Sequence, residues 1–136
     1  MREVDLHVHT TASDGTVAPR ELVRRAAEMG LRALAITDHD TIFGHAEAMA
    51  AGLDYGVEII PGIEISTKYG TAVHILGYCL EDLVPILGTI VSDRDRRNRK
   101  IAELMAADGL PVSYRAMKER FGPAIGRPHL DRKSIV

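Results

Sequence analysis

Two histidines stand two residues apart in Asp5-Leu6-His7-Val8-His9, within a short run of alternating apolar residues from Val4 to Val8. If that run is a strand, alternation puts both imidazoles on one face, with Asp5 beside them. Two imidazoles on one face can aim lone pairs at one cation, although a buried histidine is often only a hydrogen-bonded core residue. Further polar residues recur after apolar runs. Asp14 lies in Ser13-Asp14-Gly15, where a plain turn is the simpler reading. Leu31–Thr37 leads into Asp38-His39-Asp40, one of whose aspartates is expected to cap the next helix. Val57–Ile60 runs into Pro61-Gly62-Ile63-Glu64, and a glutamate after so apolar a run needs a partner, because a bare buried carboxylate is very costly. His74 interrupts the apolar Ala72–Tyr78.

The elements that must position these groups follow from periodicity and punctuation. Val4–Val8, Leu31–Thr37 and Val57–Ile60 read as strands. Ile63–Thr67 continues extended, Lys68-Tyr69-Gly70 turns, and Ala72–Tyr78 completes a hairpin. Glu21–Met29 has helical spacing after Pro19 and stops at Gly30, and a second helix is expected over 42–51, closed by Gly52. Strands alternating with helices imply an α/β fold with parallel strands and right-handed crossovers. In such folds the loops at the carboxyl ends of strands gather into one site. Histidines and carboxylates gathered there suit Zn, Mn or Fe. Leu83–Ala107 and Ser113–Arg120 read as helices, the second capped by Ser113.

Composition narrows the function further. The 136 residues carry 17 Lys plus Arg and 19 Asp plus Glu, a formal net charge of −2, which argues against a chain whose main work is coating nucleic acid. The charge is uneven: residues 1–91 carry 6 basic and 13 acidic side chains, residues 92–136 carry 11 and 6. Arg94, Arg96, Arg97, Arg99 and Lys100 lack interleaved aromatics, so most of them read as a solvated helix face. The single cysteine, Cys79, excludes an intramolecular disulfide and a thiolate zinc site and reads as a buried core thiol. The first residues carry charges where a signal core would be apolar, and no apolar run approaches the roughly 18 residues of a membrane helix, so a cytoplasmic, non-membrane setting is expected.

Together, Asp5-Leu6-His7-Val8-His9, Ser13-Asp14-Gly15, Thr37-Asp38-His39-Asp40, Pro61-Gly62-Ile63-Glu64 and His74 resemble the polymerase and histidinol phosphatase (PHP) domain. The resemblance is strongest over residues 3–80, and Gly126-Arg127-Pro128-His129 resembles a stretch of the branch of stand-alone nucleotide phosphoesterases. It implies the amino-terminal part of a distorted (β/α)7 barrel over 1–80, a helical insertion over 81–125, and a truncated return to the barrel over 126–136. It also implies two or three divalent metal ions. His7 and His9 would hold the first, Glu64 would bridge the first and second, His74 would hold the second, and Asp14 and His39 a third. Asp38 and Asp5 would orient ligating imidazoles, Asp38 counting among the catalytic residues with Arg127 and His129, and the last two would meet the substrate phosphate.

The implied reaction is hydrolysis of a phosphate ester by metal-activated water, on a 3′,5′-nucleoside bisphosphate or a short RNA 5′ end. Histidinol-phosphate hydrolysis, an amidohydrolase and a catalytically impaired PHP module are the competing expectations. Family members carry a further histidine and an Asp-x-His in a second half, so the chain is expected to be a fragment or a truncated product with under-ligated metals. An unclosed barrel edge would then invite homo-oligomers.

Overall fold

A computed structural model describes residues 3–69, 71–79, 84–110, 112–121 and 125. Four strands form one sheet in the order β1-β2-β3-β4: β1 (Val4–Val8), β2 (Ala33–Ile36), β3 (Glu58–Tyr69) and β4 (Thr71–Tyr78). β1–β2 and β2–β3 are parallel, joined through α1 (Pro19–Glu28) and α2 (His45–Tyr55), whereas β3–β4 is an antiparallel hairpin. The expected α/β half-barrel is therefore present, with parallel strands first and a hairpin last.

α1 starts at a proline, whose missing N–H would be unsatisfied there in any case. Val23 and Ala26 turn inward against Leu34 and Ile36 of β2 and Ala48 and Ala51 of α2, forming the main core. Its outer face carries Glu21 bonded to Arg24 at 2.7 Å and to Arg25 at 2.8 Å, exposed pairs that add little. Gly30, with φ at +75°, ends it where expected.

α2 departs from expectation at both ends. It begins at His45, after a turn in which Thr41 Oγ1 accepts the Phe43 N–H at 3.2 Å. Gly44 precedes it with no side-chain cap, so neither Asp38 nor Asp40 caps the helix. It runs through Gly52 and closes at Gly56, whose φ is +71°. Gly52 serves packing instead: a Cβ there would lie 2.6 Å from the Val57 carbonyl oxygen and from Ile59 Cγ1.

β3 is one continuous strand rather than two extended pieces. Pro61, which has no N–H to give, sits opposite Ile36 at the end of the β2 ladder, and from Gly62 onward the partner is β4. Gly62 faces Tyr78, and a Cβ on it would meet Thr37 Cγ2 at 2.8 Å. The Tyr78 hydroxyl in turn donates to the Leu6 carbonyl of β1 at 2.7 Å, tying the last strand of the sheet to the first. Cys79 follows β4 in a left-handed conformation, φ +56°, and is exposed rather than buried.

The two expected helices are α3 (Val84–Ala107) and α4 (Tyr114–Phe121), with the Ala116 N–H reaching Ser113 Oγ at 3.3 Å. Leu87 and Ile90 dock α3 against Ile63 and Ile65 of β3 and Ile42. Farther along, Ala102, Tyr114, Met117 and Ile125 make a separate small core, and the buried Asn98 donates to the Ile125 carbonyl at 2.8 Å. Asp95 of α3 joins α4 through Lys118 and Tyr114, and the bonds from Lys118 and from Arg99 of its own helix hold its carboxyl at about 2. The expected boundary at 80–81 and the return segment 126–136, with Arg127 and His129, lie outside the described residues.

Candidate metal centre

Alternation on β3 sends Ile63 and Ile65 toward α3 and leaves Glu64 and Ser66 on the other face. Ser66 sits opposite His74 in the hairpin, so β4 delivers its imidazole to that face. β1 ends at Val8, and His7 and His9 arrive from its carboxyl end. His39 follows β2 and bridges to Glu64. The carboxyl ends of β1 and β2 and the middle of the β3–β4 hairpin thus deliver a single cluster.

Glu64 stands at its centre, 4% exposed. Its Oε2 lies 3.0 Å from His7 Nε2, 2.9 Å from His9 Nε2 and 3.7 Å from His39 Nε2, while Oε1 lies 2.6 Å from His74 Nδ1. Asp14 closes the far side, 3.5 Å from His9 Nδ1 and 3.6 Å from His39 Nε2. The two Nε2 atoms of His7 and His9 are 3.2 Å apart. Three groups result, His7–His9–Glu64, His9–Asp14–His39 and His39–Glu64–His74, each with its ligand atoms within 4.8 Å of one another. All six residues expected as ligands are thus brought together.

The electrostatics of His39 and Glu64 favour the deprotonated forms that offer lone pairs. Burial pushes the His39 imidazole below its ordinary pKa, against the attraction of Asp14 and Glu64, so neutral imidazole is favoured. Burial by itself would raise the Glu64 carboxyl, but the hydrogen bond from His7 and the neighbouring imidazoles outweigh it and hold the group below its ordinary value. A test of fit comes from His9: its Nδ1 is buried with no hydrogen-bond partner, and the nearest acidic oxygen is Asp14 Oδ1 at 3.5 Å. An orphaned ring nitrogen is costly unless something takes its lone pair. Mixed imidazole and carboxylate donors fit a divalent ion of the Zn, Mn or Fe kind.

Two expected roles differ from what the geometry gives. Asp38 is fully buried, and its carboxylate accepts the Thr10 N–H at 2.7 Å, the Thr10 hydroxyl at 2.7 Å and the Ser13 hydroxyl at 2.6 Å. It fixes the loop between His9 and Asp14 and, among the described residues, bonds no imidazole. Asp5 accepts the backbone N–H of His7 at 3.2 Å, not its ring. His45 stays outside the cluster, its Nε2 at 2.8 Å from the Gly62 carbonyl.

Residues for which the sequence suggests other roles hold the centre from behind. Asp40, in a left-handed conformation with φ +52°, accepts the Ser66 N–H at 2.8 Å and pairs with Arg94 of α3. Arg94 is only 8% exposed, against the expectation of a solvated basic face. Its signal was present in the spacing, because Leu87, Ile90, Arg94, Asn98 and Ala102 follow one helical stripe.

The chain belongs to the PHP domain family, whose model matches residues 5–111. It is 37% identical over 136 residues to a 5′-3′ exoribonuclease of Haemophilus influenzae, covering 96% of this chain and 50% of that protein. It is 36% identical over 142 residues to a 3′,5′-nucleoside bisphosphate phosphatase of Chromobacterium violaceum, covering 99% of this chain and 50% of the relative. Among solved structures, a Bifidobacterium adolescentis protein assigned as a metal-dependent phosphoesterase superimposes with a TM-score of 0.80 at 31% identity, over 94% of this chain and 48% of the other. An amidohydrolase from Chromobacterium violaceum with bound sulfate and no metal gives a TM-score of 0.77 at 33% identity, over 93% and 47%. The chain spans about half the length of the curated relatives it matches.

Proposed function

We propose that these residues form the ligand centre of a cation-dependent phosphoesterase acting on a nucleotide phosphate ester, a 3′,5′-nucleoside bisphosphate or the 5′ end of a short RNA. The observation that carries this reading is the convergence of three imidazoles on the Glu64 carboxylate within 3.0 Å, with a fourth at 3.7 Å. The named activities of the relatives support it. His7, His9 and Glu64 would hold one cation, Glu64, His39 and His74 a second, and His9, Asp14 and His39 a third. Mn, Zn and Fe match the donor set. When bound, such ions lower the pKa of a ligated water and offset charge on phosphoryl oxygens.

The chain's own residues set the geometry. Glu64 presents one oxygen to His7 and His9 and the other to His74, so it can join two cation positions. Asp38 keeps Asp14 and His9 at a fixed separation by gripping the loop between them. Arg127 and His129 would contact the substrate phosphate, arginine through two parallel hydrogen bonds. An exposed free Cys79 suits a reducing, cytoplasmic setting. The outer strands of the sheet offer a route to homo-oligomers.

Phosphate release from a 3′,5′-bisphosphorylated nucleotide and from a 5′-phosphorylated RNA, with and without added Mn²⁺, tests the reading. Release that depends on the cation and falls by about 100-fold or more in Glu64→Ala, together with cation binding, is the expected result. Cation binding with no turnover of any phosphate ester would overturn it in favour of a non-catalytic module.

A further inference from the structure

We infer that Arg94 is a positioning residue: from helix α3 it holds the His39 imidazole in its cation-binding orientation. The inference rests on the phosphoesterase reading for its cations, but its geometry stands on the chain alone. Arg94 Nη1 donates to the His39 carbonyl at 3.1 Å. Its Nη2 pairs with the Asp40 carboxylate and lies 3.4 Å from Ser66 Oγ. Ser66 Oγ is 3.3 Å from His39 Nδ1. The guanidinium therefore reaches His39 twice, at its backbone and, through Ser66, at its ring.

The direction of the ring matters because the two nitrogens have different tasks. With Nδ1 protonated and donating to Ser66, the Nε2 lone pair faces Asp14 Oδ2 at 3.6 Å and Glu64 Oε2 at 3.7 Å. A second contact fixes the backbone from which the ring hangs. Asp40 holds φ at +52°, a left-handed conformation that Asp adopts more readily than most residues with a Cβ, and its carboxylate is tied to both Arg94 and the Ser66 N–H. Such a backbone persists where surrounding bonds over-determine it, and Arg94 supplies two of them.

Arg94 is placed for this by packing rather than by charge alone. Ile90 and Leu87, one and two turns earlier on the same stripe, dock α3 on Ile63 and Ile65 of β3. Arg94 is more than nine-tenths buried, Asp40 nearly fully so, and a buried ion pair of this kind is costly to break. His39 belongs to two of the three ligand groups, while His7–His9–Glu64 does not include it. Loss of the brace should weaken two cation positions and spare one.

Titration of the full chain with Co²⁺, read by calorimetry and by the visible absorption of the bound ion, tests this in Arg94→Met, Arg94→Lys and Ser66→Ala. His39→Ala and His7→Ala mark which positions each signal belongs to. The expected result is a loss of about 10–100-fold in affinity at the His39-dependent positions of Arg94→Met. The His7-dependent position should keep its affinity, with Arg94→Lys and Ser66→Ala intermediate. A general weakening of the fold would lower every position together and would overturn the proposal, as would a folded Arg94→Met that titrates like the parent. If Arg94→Met does not fold, Ser66→Ala carries the same selective pattern or overturns it. If the parent binds no cation, the phosphoesterase reading fails on its own. Hydrogen exchange at the Asp40 and Ser66 amides then decides the brace: faster in Arg94→Met upholds it, unchanged overturns it.

Discussion

Glu64 and His39 share a cluster, and both resist taking up a proton more than they would in an unfolded chain. In the cation-free protein the two shifts act in the same direction. The unfolded chain protonates its histidine first as pH falls through the ordinary value of 6.5, so stability conferred by neutral His39 is present above it and lost as pH drops toward the lower folded pKa. Glu64 adds a second loss in a more acidic window, below its ordinary 4.5. Urea midpoints measured in chelator should fall from pH 7 to pH 5.5, and His39→Asn should flatten that part of the curve; a midpoint that rises on acidification would contradict this. At this scale most of the candidate ligands were legible. His7, His9, His39, Glu64 and His74 stood out as polar residues in or just after apolar runs, Asp14 was singled out only by the family resemblance, and all six meet. The supporting cast was not, because Thr10, Ser13 and Ser66 look like any loop or strand hydroxyl until the chain folds back on them.

Among the elements, α2 makes the sharpest test of packing against propensity. Alanine in place of a mid-helix glycine normally stabilises by ~1 kcal/mol. At Gly52 a Cβ would press on the Val57 carbonyl oxygen at 2.6 Å, so Gly52→Ala should instead destabilise by about 1–3 kcal/mol, measured by urea unfolding. A neutral or stabilising result would mean that α2 can lift away from β3 at little cost. Two glycines four residues apart also explain why sequence reading ended this helix early: either could be the stop, and only the left-handed turn at Gly56 marks the true one. β3 was split for a similar reason. Pro61-Gly62 is a strong turn signal locally, yet the strand passes through it because the proline stands where one ladder ends and the next begins. In α3, by contrast, the buried stripe that carries Arg94 and Asn98 was present in the spacing but masked by the density of charge around it.

As a whole, the described sheet is open, with β1 and β4 each paired on one side. Val4 and Leu6 on one outer strand are 50% and 44% exposed, and Val73 and Ile75 on the other are 37% and 54% exposed. Such edges favour pairing with another chain. Sedimentation of these 136 residues should show concentration-dependent self-association, reduced by Leu6→Lys or Ile75→Lys; a monomer unaffected by either change would contradict it. The hairpin has a different consequence, for the order in which the centre is built. Glu64 and His74 are separated by 10 positions, whereas Glu64 and His7 are separated by 57. Bringing the distant pair together costs ~1.5 kcal/mol more chain entropy than the near one. Nucleation at the β3–β4 turn would therefore create half of the grip early and cheaply, leaving the first strand to supply the remainder as the last piece to arrive and the first to let go.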